Sequence, residues 1–262
     1  MAFMLGSKLT SNIPLTQYLS ETASYFRVIE IPTDPRFLSP HFLLNHLSQK
    51  TLRTYREEYR FRYTMHAPFV NLGALDYEER SVAVGKFKSA LQVAGDLEIP
   101  LMTFHPTMVL PENLPQYQEC CKYEAANIAA LLNEAEELGI TLAIENMPST
   151  PEYHRDAMDG KRIAELLSFF PTANFGVTVD IGHALQAQIN LENLLSLDRI
   201  RHFHFHENDR LTDRHLRIIS NLNWWETLLQ KLKEKFPQAV GILEMNQLVD
   251  QMDSFERLNP FL

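Results

Sequence analysis

The chain has 262 residues, 45% hydrophobic and 22% charged, with 24 basic against 33 acidic side chains and a formal net charge of -9. That composition is an ordinary globular one, able to bury a large core, and its acidity disfavours a broad polyanion-binding surface. No apolar run is long enough to span a bilayer, and the segment Met1 to Thr10 lacks the pattern of a secretory signal, so the expected location is cytoplasmic, with no membrane partner.

Bound cations or a local basic rim can still reverse the field at a site. Cys120 and Cys121 are adjacent and form no Cys-x-x-Cys motif, so both read as reduced packing residues. The chain shows no low-complexity tract and no Gly/Ser-rich linker. It reads as a single domain over residues 1–262.

Short apolar runs rich in Val, Ile, Phe, Leu or Thr predict strands at Phe3–Leu5, Arg27–Ile31, Phe61–His66, Leu101–His105, Thr141–Glu145, Phe175–Asp180, His202–His206 and Val240–Glu244. Longer amphipathic stretches separate them, among them Tyr77–Leu97, Gln116–Leu138, Lys161–Phe169 and Trp224–Phe236. Gly139 follows the last periodic residue of the second, a common helix stop. Strands alternating with helices imply parallel pairing through right-handed crossovers. An open doubly wound sheet would more often carry a Gly-rich turn after its first strand, whereas Gly6 stands alone in Leu5-Gly6-Ser7-Lys8. Eight strands in 262 residues favour an α/β fold of the closed (β/α)8 TIM barrel type.

The chemistry lies at the strand ends. From the third strand onward they read His66, His105, Glu145, Asp180, His206 and Glu244, with His183 three residues after Asp180. In a barrel these ends share one mouth. Any one of them has a plain reading: a lone His is commonly solvated, and an Asp or Glu there commonly caps a helix. Six in succession point instead to a divalent-metal site, and mixed imidazole and carboxylate donors suit Zn²⁺, Mn²⁺ or Fe²⁺. His202, His204 and His206 alternate with Phe203 and Phe205, so they share a strand face. His206, nearest the mouth, is taken as the ligand, with His204 lining the barrel below it and His202 structural. His41, His46 and His154 read as solvated. Asp213-Arg214-His215 adds an Asp-x-His pair able to clasp one ion.

Taken in order, Met65-His66-Ala67-Pro68-Phe69, Phe104-His105-Pro106, Ile144-Glu145-Asn146, Val179-Asp180-Ile181-Gly182-His183, His206-Glu207-Asn208-Asp209, Asp213-Arg214-His215 and Leu243-Glu244 resemble the xylose-isomerase-like barrel superfamily. More specifically, they resemble the endonuclease IV family, apurinic/apyrimidinic endonuclease family 2. The resemblance implies up to three metals, Zn²⁺ foremost. His66 and His105 would hold the first, with Glu145 bridging to the second. Asp180, His206 and Glu244 would complete the second, and His183, Asp213 and His215 the third. It implies phosphodiester hydrolysis of DNA bearing an abasic site, with Phe69 standing where an aromatic wedge is expected. Phe69 equally reads as a packing residue.

Two segments depart from that family. Leu216-Arg217-Ile218-Ile219 and Met147-Pro148-Ser149-Thr150-Pro151 stand where the family carries Gly-rich loops. The alternative is a sugar or sugar-phosphate isomerase or epimerase with one metal on Glu145, Asp180, His206 and Glu244. There Glu145 and Glu244 flank the substrate carbon as a catalytic pair, and His183 and Arg217 bind substrate oxygens or a phosphate. Ligand completeness favours the hydrolase.

Overall fold

The computed structural model describes residues 3–10, 13–33 and 46–262. Within them the strands are β1 (Met4–Lys8), β2 (Val28–Pro32), β3 (Arg62–His66), β4 (Leu101–Phe104), β5 (Thr141–Glu145), β6 (Phe175–Asp180), β7 (Ile200–Phe205) and β8 (Val240–Leu243). Around them run α1 (Leu15–Thr22), α2 (His46–Tyr59), α3 (Tyr77–Asp96), α4 (Tyr117–Glu137), α5 (Arg155–Met158), α6 (Lys161–Phe169), α7 (Ile181–Gln186), α8 (Leu191–Leu195), α9 (Leu222–Lys235) and α10 (Leu248–Leu258). All strands pair in parallel with their neighbours in chain order, and β1 pairs with β8, from Met4 opposite Val240 to Ser7 opposite Leu243. This closes the expected (β/α)8 barrel, and no described helix is long and apolar enough to cross a membrane.

The strand runs are apolar because each strand is covered on its outer face by helices. β7 shows the division most plainly. His202 and His204 point inward, where His202 meets Thr103 at 3.3 Å. Phe203 and Phe205 point outward, with Phe205 packed edge-on against Trp225 of α9 at 6.0 Å. Gly241 of β8 makes room for that ring, since a Cβ there would lie 2.1 Å from it. Low in the barrel, Val28, Val240 and Ile242 form a small apolar cluster with Met4. Above it the interior turns polar, with Thr103 and Thr178 joined at 2.8 Å.

Several strand boundaries move. β1 runs on to Lys8 instead of stopping at Leu5, because its ladder to β8 continues through Gly6 to Ser7 and its ladder to β2 joins Ser7 and Lys8. Gly6 is needed there, as a Cβ would sit 2.5 Å from the Val28 carbonyl. β7 ends at Phe205, so His206 lies just beyond it. β4 and β8 likewise end one residue before His105 and Glu244, which open the loops of the mouth. His41 and the His46 side chain lie outside the described residues. Both cysteines are free and buried on α4.

Candidate metal centre and active site

At the C-terminal end of the strands, imidazoles and carboxylates meet in one connected cluster. Glu145, at the end of β5, is its hub. Its Oε2 lies 3.3 Å from His66 Nε2 and 3.1 Å from His105 Nε2, and its Oε1 lies 2.8 Å from His204 Nδ1. His204 Nδ1 also faces Glu244 Oε2 at 3.2 Å and Asp180 Oδ2 at 3.7 Å. The donor atoms of Glu145, Asp180, His204 and Glu244 all lie within 4.8 Å of one another.

The structure thus brings His204 against Glu145, Glu244 and Asp180, whereas His206 meets Asp180 alone among these carboxylates. His206 lies one residue past the end of β7 and is fully buried among other neighbours. There His206 stacks on His215 with ring centroids 4.0 Å apart, and its Nε2 meets Asp180 at 3.2 Å. Gly182 makes the space, because a Cβ on it would fall 2.1 Å from the His206 ring.

His183, His206, Asp213 and His215 form a second group within the same 4.8 Å limit, and His66, His105 and Glu145 form a third. The Asp213-x-His215 pair closes as its spacing suggested, with His215 Nε2 3.1 Å from Asp213 Oδ2. His183 Nε2 reaches the same oxygen at 3.3 Å.

Local structure fixes these side chains. Asp180 caps α7, accepting from the His183 backbone N–H at 2.6 Å, while its side chain also faces the cluster through His206 and His204. Asn146 ties the ends of β5 and β6 together: its amide donates to the Asp180 carbonyl at 2.9 Å and accepts from the Asp180 N–H at 2.8 Å. The loop after β7 folds back through paired backbone bonds between Glu207 and Leu216. Asn208 braces it, donating to the Gly182 carbonyl at 2.9 Å and to Asp213 at 3.2 Å. His215 Nδ1 lies 2.7 Å from the Glu244 carbonyl, which leaves its Nε2 for Asp213.

Burial alone would raise the carboxyls, but their cationic neighbours outweigh it. Glu145 is held well below its usual range by His204, His105 and His66, and Glu244 by Lys8 and His204. His183 and His206 bring Asp180 down to about 2. Conversely, burial lowers the imidazoles, yet Asp180 and Asp213 carry His183 up to about 10, and Glu30, Glu244 and Glu145 carry His204 well above the usual value. His105 and His215 end lower than usual, mainly through burial. Carboxylates packed this closely need positive charge, whether protons on histidine or a cation. Oxygen and imidazole donors converging in this way have the composition of a divalent-metal site.

Two site neighbours had no signal of their own in the sequence, and a third had only a weak one. Lys8, at the end of β1, pairs with Glu244 at 2.9 Å. Glu30 of β2 is fully buried beneath the cluster, and its oxygens lie 3.2 Å from His204 Nε2. His204 was expected only to line the barrel. Inward-facing period-two positions on β1, β2 and β7 were the one available clue. Arg217 does not join the site: it is half exposed and faces Asp250 and Asp253 of α10 at 4.0 and 3.8 Å. Phe69 does, packing edge-on against His105 at 5.0 Å.

Over the cluster opens a cavity of about 440 Å³, lined by Lys8, His66, Phe69, His105, Met147, Tyr153 and His215 among others. A larger one, about 640 Å³, lies at the opposite end among Arg56, Arg62, Arg201 and Lys235. Barrel enzymes place chemistry at the C-terminal mouth, so the smaller cavity is the candidate active site.

The family described as xylose isomerase-like TIM barrel matches residues 19–258. An uncharacterized protein of Methanocaldococcus jannaschii is 30% identical over 228 residues, spanning 81% of this chain and 74% of its own. Among solved structures, a D-tagatose 3-epimerase-like protein superimposes with a TM-score of 0.86 at 26% identity, covering 99% of this chain and 97% of its own. The IolI protein, solved with a bound zinc atom, has the same fold with a TM-score of 0.76 at 18% identity, covering 99% of this chain and 96% of its own. The chain therefore belongs to the xylose isomerase-like TIM barrel family.

Proposed function

We propose that the chain is a divalent-metal-dependent isomerase or epimerase of a small sugar or sugar derivative. The observation that carries this reading is the convergence of Glu145, Asp180, His204 and Glu244 within 4.8 Å beneath a cavity of sugar size. Likeness to a D-tagatose 3-epimerase-like protein supports the substrate class. Likeness to a zinc-bound barrel supports Zn²⁺ as one candidate ion. The similarities reported above lend the abasic-site DNA reading no support of their own.

Glu145, Asp180, His204 and Glu244 would hold the ion, whose Lewis acidity toward a substrate carbonyl lowers the barrier to removing the neighbouring C–H proton. Glu145 ends β5 and Glu244 directly follows β8, a pair suited to taking that proton and returning one to the other face. His66 and His105 hold Glu145 in place. Lys8 neutralises Glu244 and lies in the cavity lining, within reach of a substrate oxygen. Phe69, Met147 and Tyr153 supply an apolar wall that excludes water from the reacting carbon.

The test is solvent exchange. The metal-loaded chain in deuterium oxide should place deuterium on the carbon beside the carbonyl of a ketose, read by NMR across free and phosphorylated sugars. Glu145→Gln or Glu244→Gln should slow exchange by about 10²–10⁴-fold. A panel without exchange would sink the reading.

A second reading has its own observation: the His66–His105–Glu145 and His183–His206–Asp213–His215 groups together favour a multinuclear phosphodiesterase. Two or three ions per chain, with incision of an abasic-site duplex, would select it.

A further inference from the structure

Below the candidate metal centre, the barrel interior holds a buried carboxylate that none of the steps above uses. Glu30 of β2 has no solvent exposure, and neither do His202 and His204. Both Glu30 oxygens lie 3.2 Å from His204 Nε2, on the side of the ring away from the cluster. His202 Nε2 is farther, at 3.7 Å. His202 is turned toward Thr103 through Nδ1, at 3.3 Å.

A buried carboxylate is costly to retain for stability alone, because an apolar side chain of similar volume is often as good or better. Its placement gains a purpose from the two faces of His204. Nδ1 points at Glu145, Glu244 and Asp180, and Nε2 points at Glu30. A histidine that ligates through one nitrogen needs an acceptor for the N–H on the other, which fixes tautomer and ring orientation and raises the basicity of the ligating nitrogen.

Resting on the metal reading above, we infer that Glu30 is a positioning residue: it accepts the Nε2–H of His204 and so presents Nδ1 as a metal ligand. The position is legible in the backbone. Glu30 is the third residue of β2, and β2 brings it across the barrel from β7 at the depth of His204. A carboxylate one residue earlier or later would face the outer helices.

Divalent-ion affinity measures this directly, by titrating Zn²⁺ or Mn²⁺ into chelator-treated protein in a calorimeter. Glu30→Met removes the acceptor at similar volume and should weaken binding about 10–100-fold. Glu30→Gln keeps an acceptor oxygen and should recover most of the affinity. A purely structural role would lower the melting point of the apoprotein in both variants and leave the affinity of the folded fraction unchanged. Long-range ¹H–¹⁵N spectra of the metal-loaded wild-type chain give a readout independent of any variant's folding: the His204 proton should reside on Nε2.

Wild-type affinity in a folded Glu30→Met chain, or a His204 proton found on Nδ1, overturns the inference and spares the metal reading. Failure of the wild-type chain itself to bind either ion overturns both.

Discussion

His204 presents Nδ1 to Glu145, Glu244 and Asp180, whereas His206, two residues on, meets only Asp180 among those carboxylates. His204→Asn should therefore reduce divalent-ion affinity by more than the roughly 10–100-fold typical of an outer contact. His206→Asn should leave the affinity for the first ion near that of the wild-type chain. Calorimetry of the two variants side by side decides, and the reverse order would return His206 to the centre. The pair also shows what a sequence can and cannot say. Period two puts both rings on one face, but it does not say where the strand stops. That boundary depends on β8 pairing, which ends at Phe205 opposite Leu243. Glu145, Asp180 and Glu244 were legible because each closes a clear apolar run. Glu30 was not, because a carboxylate inside Val28-Ile29-Glu30-Ile31 breaks the expected pattern of a buried strand.

Protonation follows from the same contacts. Asp180 and Asp213 raise His183 to about 10, and Glu30, Glu244 and Glu145 hold His204 well above its usual range. Ligation needs the neutral ring, so metal binding must eject a proton. The sign is fixed: apparent affinity falls as pH drops below the raised imidazole values and rises as pH climbs toward them. Calorimetry in buffers of different ionisation enthalpy should show net proton release at pH 7. Binding with no proton release would mean that His204 is not a ligand.

At the scale of elements, a buried ion pair anchors one loop of the mouth. Glu124 of α4 is fully buried, accepts from the Thr107 backbone N–H at 2.6 Å, and pairs with Arg162 of α6 at 2.7 Å. Thr107 lies two residues after His105, so the pair holds the turn that presents that imidazole. No spacing rule reveals a contact across 38 residues, and the helices alone were readable. Arg162→Met leaves the carboxylate unpaired and should cost about 3–5 kcal/mol. Burial already pushes Glu124 above the usual carboxyl value, with Arg162 opposing it. Losing Arg162 pushes it further. A carboxyl whose folded value is raised binds more protons folded than unfolded, so stability falls as pH rises through the window between the two values. The deficit of the variant should therefore be largest at pH 8 and shrink toward pH 5. Denaturant midpoints of both proteins across that range test it, and a deficit independent of pH would show that Glu124 is not the group left exposed to the loss.

For the whole molecule, barrel closure puts eight strand ends on one rim, and this is why residues 236 positions apart, Lys8 and Glu244, touch. The acidic sum of -9 says little about that rim, where Lys8 and several imidazoles stand among the carboxylates. The barrel was readable from alternation and strand count, since both are local. The grouping of these side chains was not, because it depends on how far each loop folds back over the mouth. A cluster that now balances carboxylates against protonated imidazoles should be tightened by an ion that replaces those protons. Anything bound only by the folded chain stabilises it, by about 2.7 kcal/mol at a hundredfold excess over the dissociation constant. For a chain of this size that corresponds to roughly 5–10 °C in melting temperature. Chelator-treated protein should melt lower by about that much than protein with Zn²⁺ or Mn²⁺, and Ca²⁺, which prefers all-oxygen sites, should restore less. Equal melting with and without these ions would remove the metal from this site and leave the acid–base pair to be explained by the protein's own charges.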